Sequence, residues 1–233
     1  MPQARDVIAE AFTADAVPIK TRRRQKLAFE CEPDETLYVV RKGLFLARVA
    51  LPNARHQVLS LFYPGDIAFA HTMPPLAEPA LTTVSELGEV WRLRGRIAKD
   101  RADESPTLAR AISSRLAEQA ARLALHNAVI ANLTGSERVA ALFTELALRI
   151  GAATPGGILF EMPLSRTDIA EHLALNADTV SRIVSSMKTK GFVSAMGRNH
   201  LLCGDIDALA AECPLAEALK RMHGPAGKVY LAV

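Results

Sequence analysis

Short apolar or alternating runs, separated by turn residues about every eight to twelve positions, fill the chain between Ile19 and Gly95. Gly43 and the sequence Pro64-Gly65-Asp66 are typical chain-reversal signals between these runs. Sequential hairpins of this kind close into a small β-sandwich or barrel. The predicted strands are 37–40, 44–51, 57–62, 81–85 and 89–93.

After Arg101 the spacing of apolar residues becomes helical, and Ser105-Pro106 supplies an N-cap followed by a first-turn proline. The predicted helix would be roughly 39 Å long. Two apolar strips run along it, so one face could pack on the β unit while the other meets a partner helix; burial within one monomer is the alternative. The first strip, predicted as the dimer helix, comprises Leu108, Ile112, Leu116, Leu123 and Ile130. The second comprises Ala117, Ala121, Ala124, Leu125 and Ala128.

A capping box at Thr134–Glu137 predicts a further helix. Residues 151–157 are predicted to end this helix and to act as a hinge into the last segment. A second capping box, Ser165-Arg-Thr-Asp168, opens a short helix. After a tight turn, Asn176 is a good N-cap for a second helix over 177–188. Two short helices joined in this way are typical of a helix-turn-helix, and residues 192–203 add a predicted hairpin wing.

Composition alone says little about partners, because 28 Lys and Arg against 25 Asp and Glu in 233 residues leave a net charge of only +3. The distribution of charge is more informative. Between Thr179 and Gly204 there is no acidic residue, while four cations are present, which is the expected footprint of contacts to DNA phosphates.

Asp178, Ser181 and Arg182 share one face at the start of the second helix. Arg182 can donate twice to guanine, Asp178 can accept from cytosine N4, and Ser181 suits a base or a phosphate. An ion pair between Asp178 and Arg182 is the simpler structural explanation. The two caps, the turn and the acid-free stretch together favour base reading. Predicted contacts to the DNA backbone are Ser165, Asn176, Thr179, Lys188, Lys190 and Arg198.

The run LSRTDIAEHLALNADTVSRIV, residues 164–184, resembles the helix-turn-helix of the cyclic-AMP receptor protein and fumarate–nitrate reductase regulator (CRP/FNR) superfamily. Residues 37–43 and 63–67 are similar to motifs of that family's β-roll sensor domain. The resemblance implies an α+β protein with a cupin-like β-roll over 1–100, a dimerisation helix over 101–132 and a winged helix-turn-helix over 133–233. It also implies a homodimer on a palindromic operator and RNA polymerase as a partner.

Two positions depart from the family's pattern. Asp178 stands where Glu is usual and is one methylene shorter, so the preferred half-site is expected to differ. Ala174 replaces the usual glycine of the turn, which implies either local strain or a right-handed turn residue.

The sensor segment from His56 to Trp91 contains no Lys or Arg, so a buried nucleotide phosphate would be uncompensated and cyclic AMP binding is not expected. One cysteine, Cys31, in the first half of the chain excludes a four-cysteine iron–sulfur cluster within a monomer. Glu30 and Glu32 beside it favour an inert thiol. His71, near Met73, is a weak candidate for a haem ligand. No cofactor is predicted, and the effector is unknown.

Other functions fit less well. A cupin-like metalloenzyme would need more than His56 and His71, and no nucleophile–base signature supports an enzyme. A ligand-binding regulatory module that acts on a protein partner is the alternative to DNA binding. Phe62, Ile67, Phe69, Leu76 and Leu81 could line an apolar pocket, or form ordinary core. Without a long apolar run or a signal-peptide pattern, we expect a soluble cytoplasmic protein.

Overall fold

The structure is a computed structural model that describes residues 4–30, 34–51, 55–72, 80–197 and 199–224. The chain divides into two compact units, Met1–Ala121 and Arg122–Val233. The boundary lies within the long helix. None of the helices in the described part of the chain is long and apolar enough to cross a membrane.

The first unit begins with helix α1 (Ala4–Phe12) and continues into two antiparallel four-stranded sheets, ordered β1-β8-β3-β6 and β2-β7-β4-β5. A 3₁₀ turn, Ala70–Thr72, follows β6. The strands are β1 (Val17–Arg22), β2 (Lys26–Ala28), β3 (Thr36–Lys42), β4 (Phe45–Leu51), β5 (Arg55–Phe62), β6 (Ile67–Phe69), β7 (Ala80–Thr83) and β8 (Leu87–Arg94).

Strand β3 is buried on both faces, which explains its nearly continuous apolar sequence. Leu37 and Val39 face a core shared with helices, whereas Tyr38 and Val40 face a second core between the sheets. The core between the sheets contains Phe45, Phe62, Leu81 and Val90 among others. The first unit is therefore a β-sandwich with helices packed on one sheet.

Helices α2 (Gly95–Glu104) and α3 (Pro106–Asn132) follow the sandwich. The predicted N-cap of α3 is confirmed, because the Ser105 hydroxyl accepts from the Leu108 amide at 3.3 Å, immediately before Pro106. Helix α2 was not predicted. Its sequence is mostly polar and buries Ala98 alone among its residues, so apolar periodicity gives no signal there.

The turn before β6 is held against α3. Gln119 pairs with both backbone groups of Ile67, accepting from its amide at 2.9 Å and donating to its carbonyl at 2.8 Å. Arg115 lies 3.8 Å from the buried carboxylate of Asp66, which accepts from the Tyr63 amide at 2.9 Å. The predicted Pro-Gly-Asp turn is thus also an attachment point for the long helix.

The second unit contains the last part of α3, five further helices and a four-stranded antiparallel sheet, ordered β11-β12-β10-β9, among its described residues. Their bounds are α4 (Gly135–Ile150), β9 (Ala152–Thr154), β10 (Gly157–Glu161), α5 (Arg166–Leu173), α6 (Ala177–Thr189), β11 (Ser194–Met196), β12 (His200–Cys203), α7 (Ile206–Ala211) and α8 (Ala216–His223). The predicted hinge at 151–157 is instead occupied by β9 and the turn into β10.

Both predicted capping boxes form. The Thr134 amide donates to the Glu137 carboxylate at 2.7 Å, and the Ser165 amide donates to Asp168 at 2.8 Å. In each box the N-cap hydroxyl accepts from the amide of the acidic residue in return. The first backbone donors of α4 and α5 are therefore satisfied locally.

Ala174 ends α5 in the left-handed region, with φ 52° and ψ 47°. Of the two expectations for this position, the strained one is correct. The following amide, of Leu175, donates to the Ala170 carbonyl at 2.9 Å, which closes the turn and directs the chain into α6. The side chain of Ala174 is exposed, so the strain comes from the backbone rather than from crowding.

Replacing Ala174 with Gly is expected to raise the free energy of unfolding by about 0.5–1 kcal/mol, because glycine adopts a positive φ without the penalty of a Cβ atom. Urea denaturation of the full chain measures this. Ala218→Gly, at an exposed position in α8, is the control and is expected to lower stability by a similar amount. Equal destabilisation by both variants would contradict strain at Ala174.

Candidate nucleic-acid interface

Helices α5 and α6 form a helix-turn-helix whose ends are fixed by hydrogen bonds. Arg138, on α4, donates to the Leu173 carbonyl at 3.0 Å and so holds the end of α5. The Asn176 side chain accepts from the Asp178 amide at 2.7 Å and begins α6 as predicted. The predicted second helix, 177–188, is confirmed with one more residue, Thr189.

Helix α6 has one buried and one exposed face. Val180, Val184 and Met187 are buried at helical spacing. Asp178, Ser181 and Arg182 are exposed on the other side. The spacing of the apolar residues thus leaves the predicted base-reading residues available to solvent.

The two opposite charges at the start of α6 do not form an ion pair within 4.0 Å in the described structure. Arg182 instead donates to the Thr179 hydroxyl at 3.4 Å, a long contact. The Ser181 hydroxyl donates to the Ala177 carbonyl at 2.9 Å, which leaves its oxygen lone pairs facing outward. Asp178 and Arg182 therefore do not form the ion pair that the simpler structural explanation expects.

The residues predicted to contact the DNA backbone differ in their exposure and in whether their hydrogen-bonding groups are already engaged. Asn176, Lys188 and Lys190 are exposed, and Thr179 is half-buried. The Ser165 hydroxyl both donates to and accepts from Asp168, so its hydrogen bonds are already used in the capping box. Arg198 lies outside the described residues.

Sequence reasoning did not single out Arg166, the first residue of α5. Its side chain is half-buried, and burial lowers the pKa of its guanidinium from the usual value. A cation in the first turn of α5 adds to the positive charge of this surface. The sequence signal that could have identified Arg166 is its position directly after the N-cap Ser165.

The wing is a hairpin of β11 and β12, and β11 begins at Ser194, two residues after the predicted start of the wing at 192. Gly197 has φ 69° in the turn, a conformation that glycine adopts without strain. The Met162 amide donates to the Asn199 carbonyl at 2.7 Å and ties the turn to the chain beyond β10. Strand β12 also pairs with β10, so the wing extends a sheet that the sequence did not predict.

The structure places the predicted dimer-helix residues in different surroundings. Leu108 is 2% exposed in the helix-side core of the first unit, and Ile112 and Leu116 pack against the same core. Leu123 is 44% exposed, and Ile130 is half-buried. The second strip carries the free apolar face, since Ala117, Ala121 and Ala124 are exposed.

The sensor residues considered as cofactor or ligand contacts are mostly core or undescribed. Phe62, Ile67 and Leu81 are buried in the two cores, so they are ordinary core residues. Cys31, Met73 and Leu76 lie outside the described residues, as does the side chain of His71. In the described residues no group of three or more His, Cys, Asp or Glu could hold a metal ion.

Comparison with known proteins agrees with this geometry. Residues 137–212 match the Crp-like helix-turn-helix domain. The nitrogen fixation regulation protein FixK of Azorhizobium caulinodans is 27% identical over 202 residues, covering 86% of this chain and 81% of that protein. The transcriptional activator protein FnrL of Cereibacter sphaeroides is 34% identical over 83 residues, 34% of each chain.

Two solved structures share the fold. FixK2 from Bradyrhizobium japonicum has a TM-score of 0.72 and 24% identity, covering 85% of this chain and 97% of that one. A CooA mutant from Carboxydothermus hydrogenoformans has a TM-score of 0.67 and 19% identity, covering 88% and 89%. The helix-turn-helix match, the regulator relatives and the shared fold lead to one conclusion: the chain is a DNA-binding transcription regulator with a Crp-like helix-turn-helix domain, similar over most of its length to FixK.

Proposed function

We propose that the protein works as a homodimer, in which two copies of α6 read a palindromic operator through Asp178, Ser181 and Arg182. The observation that carries this proposal is the exposed face of α6, on which these side chains stand with their charges not paired to each other. A helix of 13 residues is about 20 Å long and fits the major groove.

Each of the three side chains supplies a different contact. The exposed guanidinium of Arg182 can donate two hydrogen bonds to guanine O6 and N7. The carboxylate of Asp178 can accept from cytosine N4 but reaches less far than a glutamate. Ser181 offers its lone pairs, since its proton is engaged with the Ala177 carbonyl.

Contacts to phosphates surround this face. Lys188 and Lys190, both exposed at the end of α6, provide mobile charges, and Asn176 has an amide group free to donate at the start. Thr179 and Arg198 complete the proposed backbone set, whereas Ser165 is left out of it because its hydroxyl and amide both donate to Asp168. These contacts orient the helix without reading sequence.

The exposed alanines of α3 support the dimer. Ala117, Ala121 and Ala124 recur at intervals of four and three residues, so they form one strip of small side chains. Small side chains let two helix axes approach closely. We place the subunit contact on this strip together with Leu123, because Leu108 is already buried within the protomer.

The sensor unit completes the proposal. The absence of any Lys or Arg from His56 to Trp91 supports a sensor that does not bind cyclic AMP. A relative in Rhizobium leguminosarum is named a probable transcriptional activator, which supports RNA polymerase as a partner. A role in transcription also favours a location in the cytoplasm. The proposal assigns no effector.

Selection of bound sequences from fragmented genomic DNA tests the operator. We expect the wild-type protein to enrich a palindrome whose half-sites lie about 34 Å apart. Arg182→Ala is expected to cost about 1–3 kcal/mol and to relax the preference at one base position in each half-site. The proposal fails if the wild type enriches no palindrome, and an unchanged preference in the variant removes Arg182 from base reading.

Lys188→Ala is the matched control for Arg182→Ala, since both remove an exposed cation from α6. It is expected to weaken binding to all sequences alike and to lower the slope of log affinity against log salt by about one. Fluorescence anisotropy over a salt series measures both quantities. A change in base preference would mean that Lys188 contacts a base edge.

Ala124→Glu is expected to shift the protein from dimer toward monomer, raising the dissociation constant about a hundredfold or more, because it buries an unpaired carboxylate in the helix contact. Sedimentation equilibrium measures the shift. Ala218→Glu, at an exposed position on α8, is the control and should remain a dimer. A fully dimeric Ala124→Glu protein would show that the subunits meet elsewhere.

A further inference from the structure

Three histidines surround a small cavity inside the second unit. His126 comes from α3, His172 from α5 and His223 from α8, and α4 forms the remaining wall. These three residues are named the histidine cluster below. The cavity has a volume of about 20 Å³, the space of one water molecule. DNA contacts do not use these side chains, since His172 is 4% exposed and His223 is 3% exposed.

Two members of the histidine cluster are stacked. The rings of His126 and His172 lie with their centroids 4.1 Å apart and their planes 12° from parallel. Uncharged rings pack well in this arrangement. Two protonated rings at the same separation would repel each other inside the protein, where water screens charge poorly.

The third member, His223, joins α8 to α4. Arg149 Nε donates to His223 Nδ1 at 2.9 Å, so this nitrogen acts as an acceptor and carries no proton. Arg149 also donates to the Met222 carbonyl at 3.0 Å. A proton on His223 Nδ1 would replace this hydrogen bond with two donors that face each other.

For His223, the charges on the cavity wall favour the uncharged state. Arg122 of α3 and Arg149 of α4 already bring positive charge to its wall. Glu145 of α4 is 3.9 Å from His223 Nδ1, farther than Arg149, so its attraction is the weaker of the two effects. Other charged residues on the surrounding helices include Arg138 on α4, which donates to the Leu173 carbonyl, Glu171 on α5, and Lys220 on α8, which pairs with Asp207.

His126 shows the same preference. Burial lowers the pKa of its imidazole below the ordinary 6.5, while the charge of Glu145 and a backbone hydrogen bond with His172 act in the opposite direction. A lowered pKa means that the folded unit binds fewer protons than the unfolded chain. The resulting stability is fully present above pH 6.5 and is lost as the pH falls below that value.

We propose that the histidine cluster is a pH-sensitive contact that couples mild acidification to loss of DNA binding. With uncharged rings it holds the end of α3, α5 and α8 around α4. Protonation separates the stacked rings and breaks the contact between His223 and Arg149. Because α5 is the first helix of the helix-turn-helix, loosening it disturbs the position of α6.

This inference builds on the DNA binding of the proposed function, so its test has one measurement that needs no DNA. Thermal unfolding of the full-length protein is followed at pH 7.5 and 5.5. We expect the transition of the second unit to fall by about 5 °C or more at the lower pH. Fluorescence anisotropy with the selected operator, at constant ionic strength, is expected to show about tenfold weaker binding at pH 5.5.

His126→Phe keeps a flat ring against His172 and cannot take a proton. We expect it to reduce both effects of pH, whereas His56→Phe, at an exposed position of the first unit, keeps them in full. Full acid sensitivity in His126→Phe, or pH-independent unfolding of the wild type, overturns the inference. If the selection finds no operator, the proposed function fails while the unfolding measurement still decides on the cluster.

If His126→Phe does not fold, a measurement on the wild-type protein still tests the inference. Titration of the histidine Cε1 protons by NMR gives the pKa of His126 directly. Protonation of the His126 ring below pH 6.5, together with a change in the signals of α5, supports the inference. Protonation at or above that pH, or one that leaves α5 unchanged, contradicts it.

Discussion

Burial of Val180, Val184 and Met187 holds α6 in one orientation, and the DNA-binding surface depends on that constraint. A helix that buries residues three and four positions apart must expose the residues between them on its opposite side. Asp178, Ser181 and Arg182 occupy the exposed side for this reason. The chemistry of the interface is therefore set by side chains, but its direction is set by the apolar core beneath them.

Helix α3 also has one packed face and one exposed face. Its first half packs Leu108 into the core that the helices share with one sheet, and Gln119 hydrogen-bonds to both backbone groups of Ile67. These contacts occupy one face of the helix. They leave the alanine strip exposed, so a partner helix can reach the helix without displacing the core. The turn at Asp66 and the proposed subunit contact would thus lie on opposite faces of α3.

Features with local causes were predictable from the sequence. The capping boxes at Thr134 and Ser165 join residues three positions apart, and the start of α6 follows from Asn176 alone. Five strands of the sandwich, β3, β4, β5, β7 and β8, were predicted to within a few residues at each end. Helices α1 and α2, strands β1, β2 and β6, the β9–β10 hairpin and the last two helices were missed, because their sequences are short or polar and their stability comes from packing on distant parts of the chain.

By itself the sequence determined the type of each element that it identified, the acid-free stretch beyond Thr179 and the family to which the helix-turn-helix belongs, because these depend on neighbours along the chain. Only the tertiary structure decided that Ala174 takes a left-handed conformation, that Arg182 turns toward Thr179 rather than Asp178, and that Leu108 serves the protomer's own core. It also brought together His126, His172 and His223, whose separation along the chain hides their contact. Sequence patterns record periodicity on one element, whereas contacts between elements depend on how their buried faces pack.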